Sequence, residues 1–201
     1  MCCGQTVRHT RHERDVARSC CDHHTGVEDH DQAAILLASG RHRVSRTRKF
    51  SHSATTVAPV SVVAQTLSDA DGWARWARPY IARSRFERWG TDSVVGVGSV
   101  RRVGAAQVWI RELIIGWDPA AYQTYTIVRP YLFVRYRGAV NFTELAGGGT
   151  QLTWSVEFEP RPMLSGLALK SVMSFVIAGV VARLTAECDS VHRGRKWEVR
   201  R

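Results

Sequence analysis

From residue 150 to residue 159 the side chains alternate in character. Leu152, Trp154, Val156 and Phe158 fall on one side, and Gln151, Thr153, Ser155 and Glu157 on the other. A period of two belongs to an extended strand with one buried and one wetter face. Past Pro160 and Pro162 the period changes. Leu169, Val172, Met173, Val176, Val180 and Leu184 recur at three- and four-residue steps as far as Cys188. A helix over residues 163–188 would be roughly 39 Å long, enough to cross a whole sheet. Its second side (Phe175, Ile177, Val181) is apolar as well, so both sides call for cover or for a greasy ligand. A half-buried sheet and a long helix seeking burial on two sides must satisfy each other.

The upstream chain supplies the rest of such a sheet. Residues 50–57 are β-branched and Ser/Thr-rich, which suits a first strand. Pro59 can open a helix because its missing N–H is no loss in a first turn. Val62, Val63 and Leu67 give that helix an apolar stripe, and Asp69-Ala70-Asp71-Gly72 ends it. Trp73 and Trp76, three apart, place two indoles on one face of a second short helix. Strands are then expected over residues 80–89, 98–103, 107–117, 121–129, 133–145 and 150–159. Turn signals separate them at Gly90-Thr91-Asp92, Gly104, Asp118-Pro119, Pro130 and Gly147-Gly148-Gly149. Short connections between consecutive strands imply an antiparallel meander. The fold class is α+β, with about seven strands.

Charge sorts by region. The formal net charge of +10 divides into +3 over residues 1–49, +3 over residues 50–189 and +4 over the last twelve residues. The expected domain, residues 49–189, is thus only mildly basic. Basic ends attract polyanions without specificity, and no nucleic-acid-binding signature accompanies them. No specific nucleic-acid partner is expected. Four of the five cysteines and six of the eight histidines precede Lys49. Adjacent pairs such as Cys20-Cys21 and His23-His24 lack the spacing that wraps a tetrahedral ion. Residues 1–48 read as a disordered polar extension or the product of an upstream start, and residues 190–201 as a basic disordered tail. The run at residues 33–38 is too short for an export signal. Lys170 and Arg183 leave only twelve uncharged residues between them, fewer than the roughly 20 a bilayer needs. No transmembrane segment and a cytoplasmic location are expected.

Several short motifs carry a family likeness. They are Val57-Ala58-Pro59 with Val63, Leu67 and Asp69; the Trp73/Trp76 pair; Glu112 followed by Trp117-Asp118-Pro119; and Gly148-Gly149-Thr150 with Leu152-Thr153-Trp154. In this order they resemble the START-like helix-grip superfamily, and within it the polyketide cyclase/dehydrase (SRPBCC) group. The likeness covers residues 49–189. It implies a curved antiparallel sheet wrapped around the long C-terminal helix, two short helices after the first strand, and a hydrophobic pocket between sheet and helix.

Physics places a pocket in the same spot, because a curved sheet cannot touch a straight helix along its whole length. Large side chains are available to fill or line the gap: Trp73, Trp76, Trp109, Tyr125, Phe133, Tyr136, Phe142, Trp154 and Phe158, with Met173, Val176 and Ile177 from the helix. Glu112 is the candidate catalytic residue. If it shares an inward face with Val108, Ile110 and Ile114, it sets an acid among apolar side chains, where it could move protons. The opposite parity (Trp109, Leu113, Ile115, Trp117) is equally apolar and would turn Glu112 outward. Arg111, Arg135 and Arg137 are candidate partners for it, or clamps for a ligand's acid group. Tyr136 and Asn141 are candidate hydrogen-bonders to a ligand carbonyl.

Nucleophilic triads lack raw material, since residues 50–189 hold one histidine, His52, and one cysteine, Cys188. No metal and no organic cofactor is expected. The leading expectation is binding or carriage of a small hydrophobic molecule such as a lipid, isoprenoid or polyketide. A cofactor-free cyclase or dehydratase using Glu112 is the first alternative, and an interaction module using the basic tail is the second.

Overall fold

Each period change in the sequence becomes an element boundary in the computed structural model, which describes residues 46–90, 95–105 and 107–194. Strand β1 (Arg48–Thr56) leads into α1 (Val60–Ser68) and α2 (Trp73–Trp76). Six strands follow: β2 (Arg83–Arg88), β3 (Val100–Ala105), β4 (Val108–Asp118), β5 (Tyr122–Arg129), β6 (Phe133–Glu144) and β7 (Thr150–Pro160). Helix α3 (Gly166–His192) closes the chain. Expectations about residues 1–45, including the run at 33–38, and about residues 195–201 lie outside the described residues.

The sheet runs in the order β1-β7-β6-β5-β4-β3-β2 and is antiparallel at each step. Strands β2 to β7 form the meander, and β1 joins beside β7. Alternation sorts β7 as its sequence demands: Leu152, Trp154, Val156 and Phe158 are buried. Pro59 is the N-cap of α1, its carbonyl accepting from Val62 N at 3.0 Å and Val63 N at 3.3 Å. Asp69 ends that helix, and its carboxylate accepts from Gly72 N at 3.1 Å. The two indoles of α2 lie 5.4 Å apart by ring centroid, and Trp73 meets Trp154 of β7 edge-on at 6.1 Å.

The Ser165 hydroxyl caps α3 by accepting from Ala168 N at 3.3 Å. The helix runs on through His192, four residues past the end expected at Cys188. Asp189 accepts hydrogen bonds from Thr56 Oγ1 and from Val57 N, so the end of β1 anchors the last helical turns. His52 of β1 meets Ser174 Oγ of α3 at 2.9 Å. By length and composition alone α3 could cross a membrane. In the fold it packs against β1, β7 and both short helices, burying Val180, Val181, Leu184, Thr185 and Cys188.

Strand β4 resolves the question of parity. Up to Ile114 its even-numbered residues face the helix. A bulge between Ile114 and Gly116 then inserts Ile115, so that Trp117 turns inward, paired with buried Gln123. One extra residue switches which parity is buried, so both looked apolar.

Candidate functional site

The helix leaves the sheet uncovered over a limited stretch, and a cavity of about 330 Å³ lies there. Trp73, Tyr125, Tyr136 and Trp154 line it from the sheet side and α2; Met173, Val176 and Ile177 line it from α3. Two glycines make room for its aromatic walls. A Cβ on Gly138 would collide with the Tyr125 ring, and one on Gly179 of α3 would collide with the Tyr80 ring. Val108 and Val172, each more than half exposed, mark where the cavity opens to solvent. Its volume is at the small end of the roughly 300–1,000 Å³ usual for ligand sites. That equals the liquid volume of about eleven waters.

Among the described residues that line the cavity, Glu112 is the one that is charged, and it is only 7% exposed. Behind it stands Arg101, on the neighbouring position of β3, whose Nε donates to Glu112 Oε2 at 2.6 Å. Arg101 is 1% exposed. Its Nη1 donates to Gln123 Oε1 at 2.9 Å, and its guanidinium carbon lies 4.1 Å from the centre of the Trp73 ring and 5.1 Å from that of Tyr125. Arg101 Nη2 and Gln123 Nε2 are buried without a hydrogen-bond acceptor. The negative ring faces of Trp73 and Tyr125 offset part of the guanidinium's lost hydration. We have no comparable account of Gln123 Nε2.

Two phenols share the cavity wall. Trp154 Nε1 donates to the Tyr125 hydroxyl at 3.0 Å, and the Tyr125 and Tyr136 rings lie 6.0 Å apart by centroid. Burial, then the charge of Glu112, pushes the Tyr125 hydroxyl far above its ordinary value. Burial likewise raises Tyr136, with Tyr125 and Glu112 adding to it. Both stay neutral and keep their protons at ordinary pH.

The remaining candidates lie elsewhere. Trp109 is on the outer face, with the guanidinium groups of Arg102 and Arg83 over its ring at 4.0 and 4.4 Å; odd parity puts it there. Trp76 is buried beside a separate depression that includes Glu187 and Val191 and does not line the cavity. Phe142 lies in the core on β6, the strand that α1 contacts. Phe158 is fully buried and packs edge-on against the half-buried Phe133 at 5.3 Å; neither lines the cavity, and both border a separate depression with Arg135 and Glu159.

None of the three expected arginine partners reaches Glu112. Arg111 donates to Glu87 at 2.6 Å and Arg135 to Glu159 at 3.0 Å, both on the outer face. Arg137 and Asn141 line an outer depression of about 800 Å³ with Lys49 and Glu157. That depression is larger than the inner cavity but shallow and charged, so it would leave most of an apolar ligand in water. Sequence reasoning missed Arg101 because the tandem Arg101-Arg102 reads as a surface pair. The cross-strand register Arg101↔Glu112 is the signal that would have found it.

Sequence profiles now decide the family. The profile described as polyketide cyclase / dehydrase and lipid transport matches residues 47–191. The chain belongs to that family. No curated protein sequence matches it. Among solved structures, the Zhui aromatase/cyclase from Streptomyces sp. R1128 superposes with a TM-score of 0.63 at 18% identity, covering 75% of this chain and 98% of that one. The di-domain ARO/CYC StfQ from the steffimycin biosynthetic pathway gives 0.62 at 18% identity, over 80% of this chain and 57% of that one. Ara h 8.0201 gives 0.56 at 19% identity, over 72% and 99%. At such identities the likeness shows the fold, a seven-stranded sheet gripping a C-terminal helix. The family's general business is binding of hydrophobic ligands or polyketide cyclisation.

Proposed function

We propose that this chain binds a small, largely apolar molecule, of lipid, isoprenoid or polyketide type, in the cavity between sheet and α3. The observation that carries the reading is the cavity itself: about 330 Å³, open beside Val108 and Val172, with aromatic and aliphatic walls and a single charged lining residue. Affinity would come from apolar burial at roughly 25 cal/mol per Å². Trp73, Tyr125, Tyr136, Trp154, Met173, Val176 and Ile177 are the proposed ligand contacts. The reading calls on no metal or organic cofactor and assumes a cytoplasmic protein.

Titration with 2-methoxynaphthalene, followed by quenching of Trp fluorescence, tests it. Saturable quenching is expected in the full chain and should vanish in Val176→Trp, which fills the cavity. Quenching that survives this substitution unchanged would place the probe elsewhere and defeat the reading.

A second reading is favoured by one observation: the Glu112 carboxylate faces the cavity beside two neutral phenols. In a cofactor-free cyclase or dehydratase the walls would fold the substrate, while Glu112 accepts a proton and a neutral phenol donates a hydrogen bond to the oxygen where negative charge develops. Glu112→Gln would then abolish turnover of a polyketide-like substrate and leave its binding intact. Equal turnover in both proteins would remove that role. An interaction module built on the basic tail would instead lose its partner on truncation after Gly194, with ligand uptake unchanged.

A further inference from the structure

The buried ion pair tells what kind of apolar ligand fits. We propose that the cavity selects molecules that bring a hydroxyl or N–H donor to Glu112, and that Arg101 is the positioning residue that makes this selection. The proposal rests on the cavity-binding reading above and narrows its ligand class.

An ionised carboxylate accepts hydrogen bonds and donates none. Glu112 spends one oxygen, Oε2, on Arg101 at 2.6 Å, and its Oε1 has no hydrogen-bond partner among the described residues. The residue nonetheless lines the cavity. The guanidinium that holds it is fixed on three further sides, by Gln123 at 2.9 Å and by the Trp73 and Tyr125 rings. Glu112 therefore cannot follow a ligand out of the cavity or turn its free oxygen to solvent without abandoning a buried cation. The nearby phenol oxygen of Tyr125 already takes the Trp154 N–H. A wholly apolar ligand, or one carrying only ether or ester oxygens, would cover the free carboxylate oxygen and strip its hydration without replacing it. A ligand with a hydroxyl in reach restores that bond, and bonds to charged groups are the stronger ones. This is the asymmetry by which a polar group in an apolar pocket discriminates.

Paired probes of nearly equal shape test the idea. Calorimetric titration of the full chain with 2-naphthol and with its O-methyl ether, 2-methoxynaphthalene, should show the naphthol binding about ten- to a hundredfold tighter. Glu112→Gln should shrink this ratio several-fold. Replacing the pair together (Arg101→Leu with Glu112→Leu) should bring it to near unity. Arg101→Lys, which keeps a cation behind Glu112, should retain part of the ratio, and Arg101→Gln should lose it. Equal affinities for the two probes in the unaltered chain would overturn the selection proposal while leaving cavity binding in place. A naphthol preference that persists in the double variant would overturn it as well. If neither probe binds, cavity binding fails, and the selection falls with it.

Discussion

Two arginine–glutamate contacts of equal length lie on opposite faces of the β2–β4 end of the sheet. On the inner face Arg101 of β3 meets Glu112 of β4 at 2.6 Å, with side chains 1% and 9% exposed. On the outer face Arg111, the residue before Glu112, meets Glu87 at 2.6 Å, with side chains 43% and 21% exposed, and Arg102 stands 3.4 Å from the same carboxylate. Distance does not distinguish them; environment does. Outside, water screens the charges and would solvate either partner left alone. Inside, each charge has given up most of its hydration and leans on the other. By general experience with buried pairs, replacing both partners costs little while removing one costs much.

Breaking each pair is the largest test of that contrast. Arg101→Met should destabilise the fold by about 3–5 kcal/mol, because Glu112 would be left buried and uncompensated. Urea unfolding followed by Trp fluorescence measures it. A loss under about 1 kcal/mol would mean that the inner pair behaves like the outer one. Replacing both partners by leucine should recover most of that loss, since an apolar pair of similar volume removes both charges at once.

Next in size is an alkaline effect on the inner side. Burial, first among its causes, pushes the Cys188 thiol up to about 12. The fold favours the neutral form. Its contribution is therefore complete below the unfolded thiol's value, near 8.5, and is lost as pH climbs from there toward 12. Between pH 8 and pH 10 the unaltered protein should lose stability faster than Cys188→Ala. A thiol reagent should label Cys188 only as fast as the protein unfolds.

The smallest effect belongs to the outer carboxylate. The hydrogen bond from Arg111, with the charges of Arg111, Arg102 and Arg85, holds Glu87 below the ordinary carboxylate value. Its sign is opposite to that of Cys188. Stability is present above the unfolded value, about 4.3, and is lost as pH falls below it. Glu87→Gln should change stability at pH 7 by no more than about 1 kcal/mol, and added salt should shrink even that. A salt-insensitive loss of several kcal/mol would erase the difference between the two faces.

How far the sequence revealed all this also depended on the face. Regular alternation in β7 and the three-to-four spacing of α3 announced the sheet and its helix, because burial on one side imposes a period. The Pro59 start and the Asp69–Gly72 stop were visible for steric reasons that need no tertiary context. Strand β4 could not be read alone. Its bulge at Ile115 buries one parity before it and the other after it, and only pairing with β5 reveals the switch. Trp109 looked like a cavity wall because an indole flanked by guanidinium groups on the surface has the same letter as one in a core. Arg101 was hidden for the converse reason: a fully buried arginine becomes sensible only once Glu112, Gln123, Trp73 and Tyr125 are seen around it. Period fixes elements, whereas a site built by cross-strand neighbours needs the register.

Chemical-shift mapping of the backbone amides during a titration with 2-naphthol tests the central claim most directly. An open inner cavity predicts saturable shifts centred on Val103, Glu112, Met173 and Val176, with Lys49, Arg137 and Asn141 on the outer face unmoved. Shifts confined to those outer residues, or none at concentrations near the probe's solubility, would contradict it.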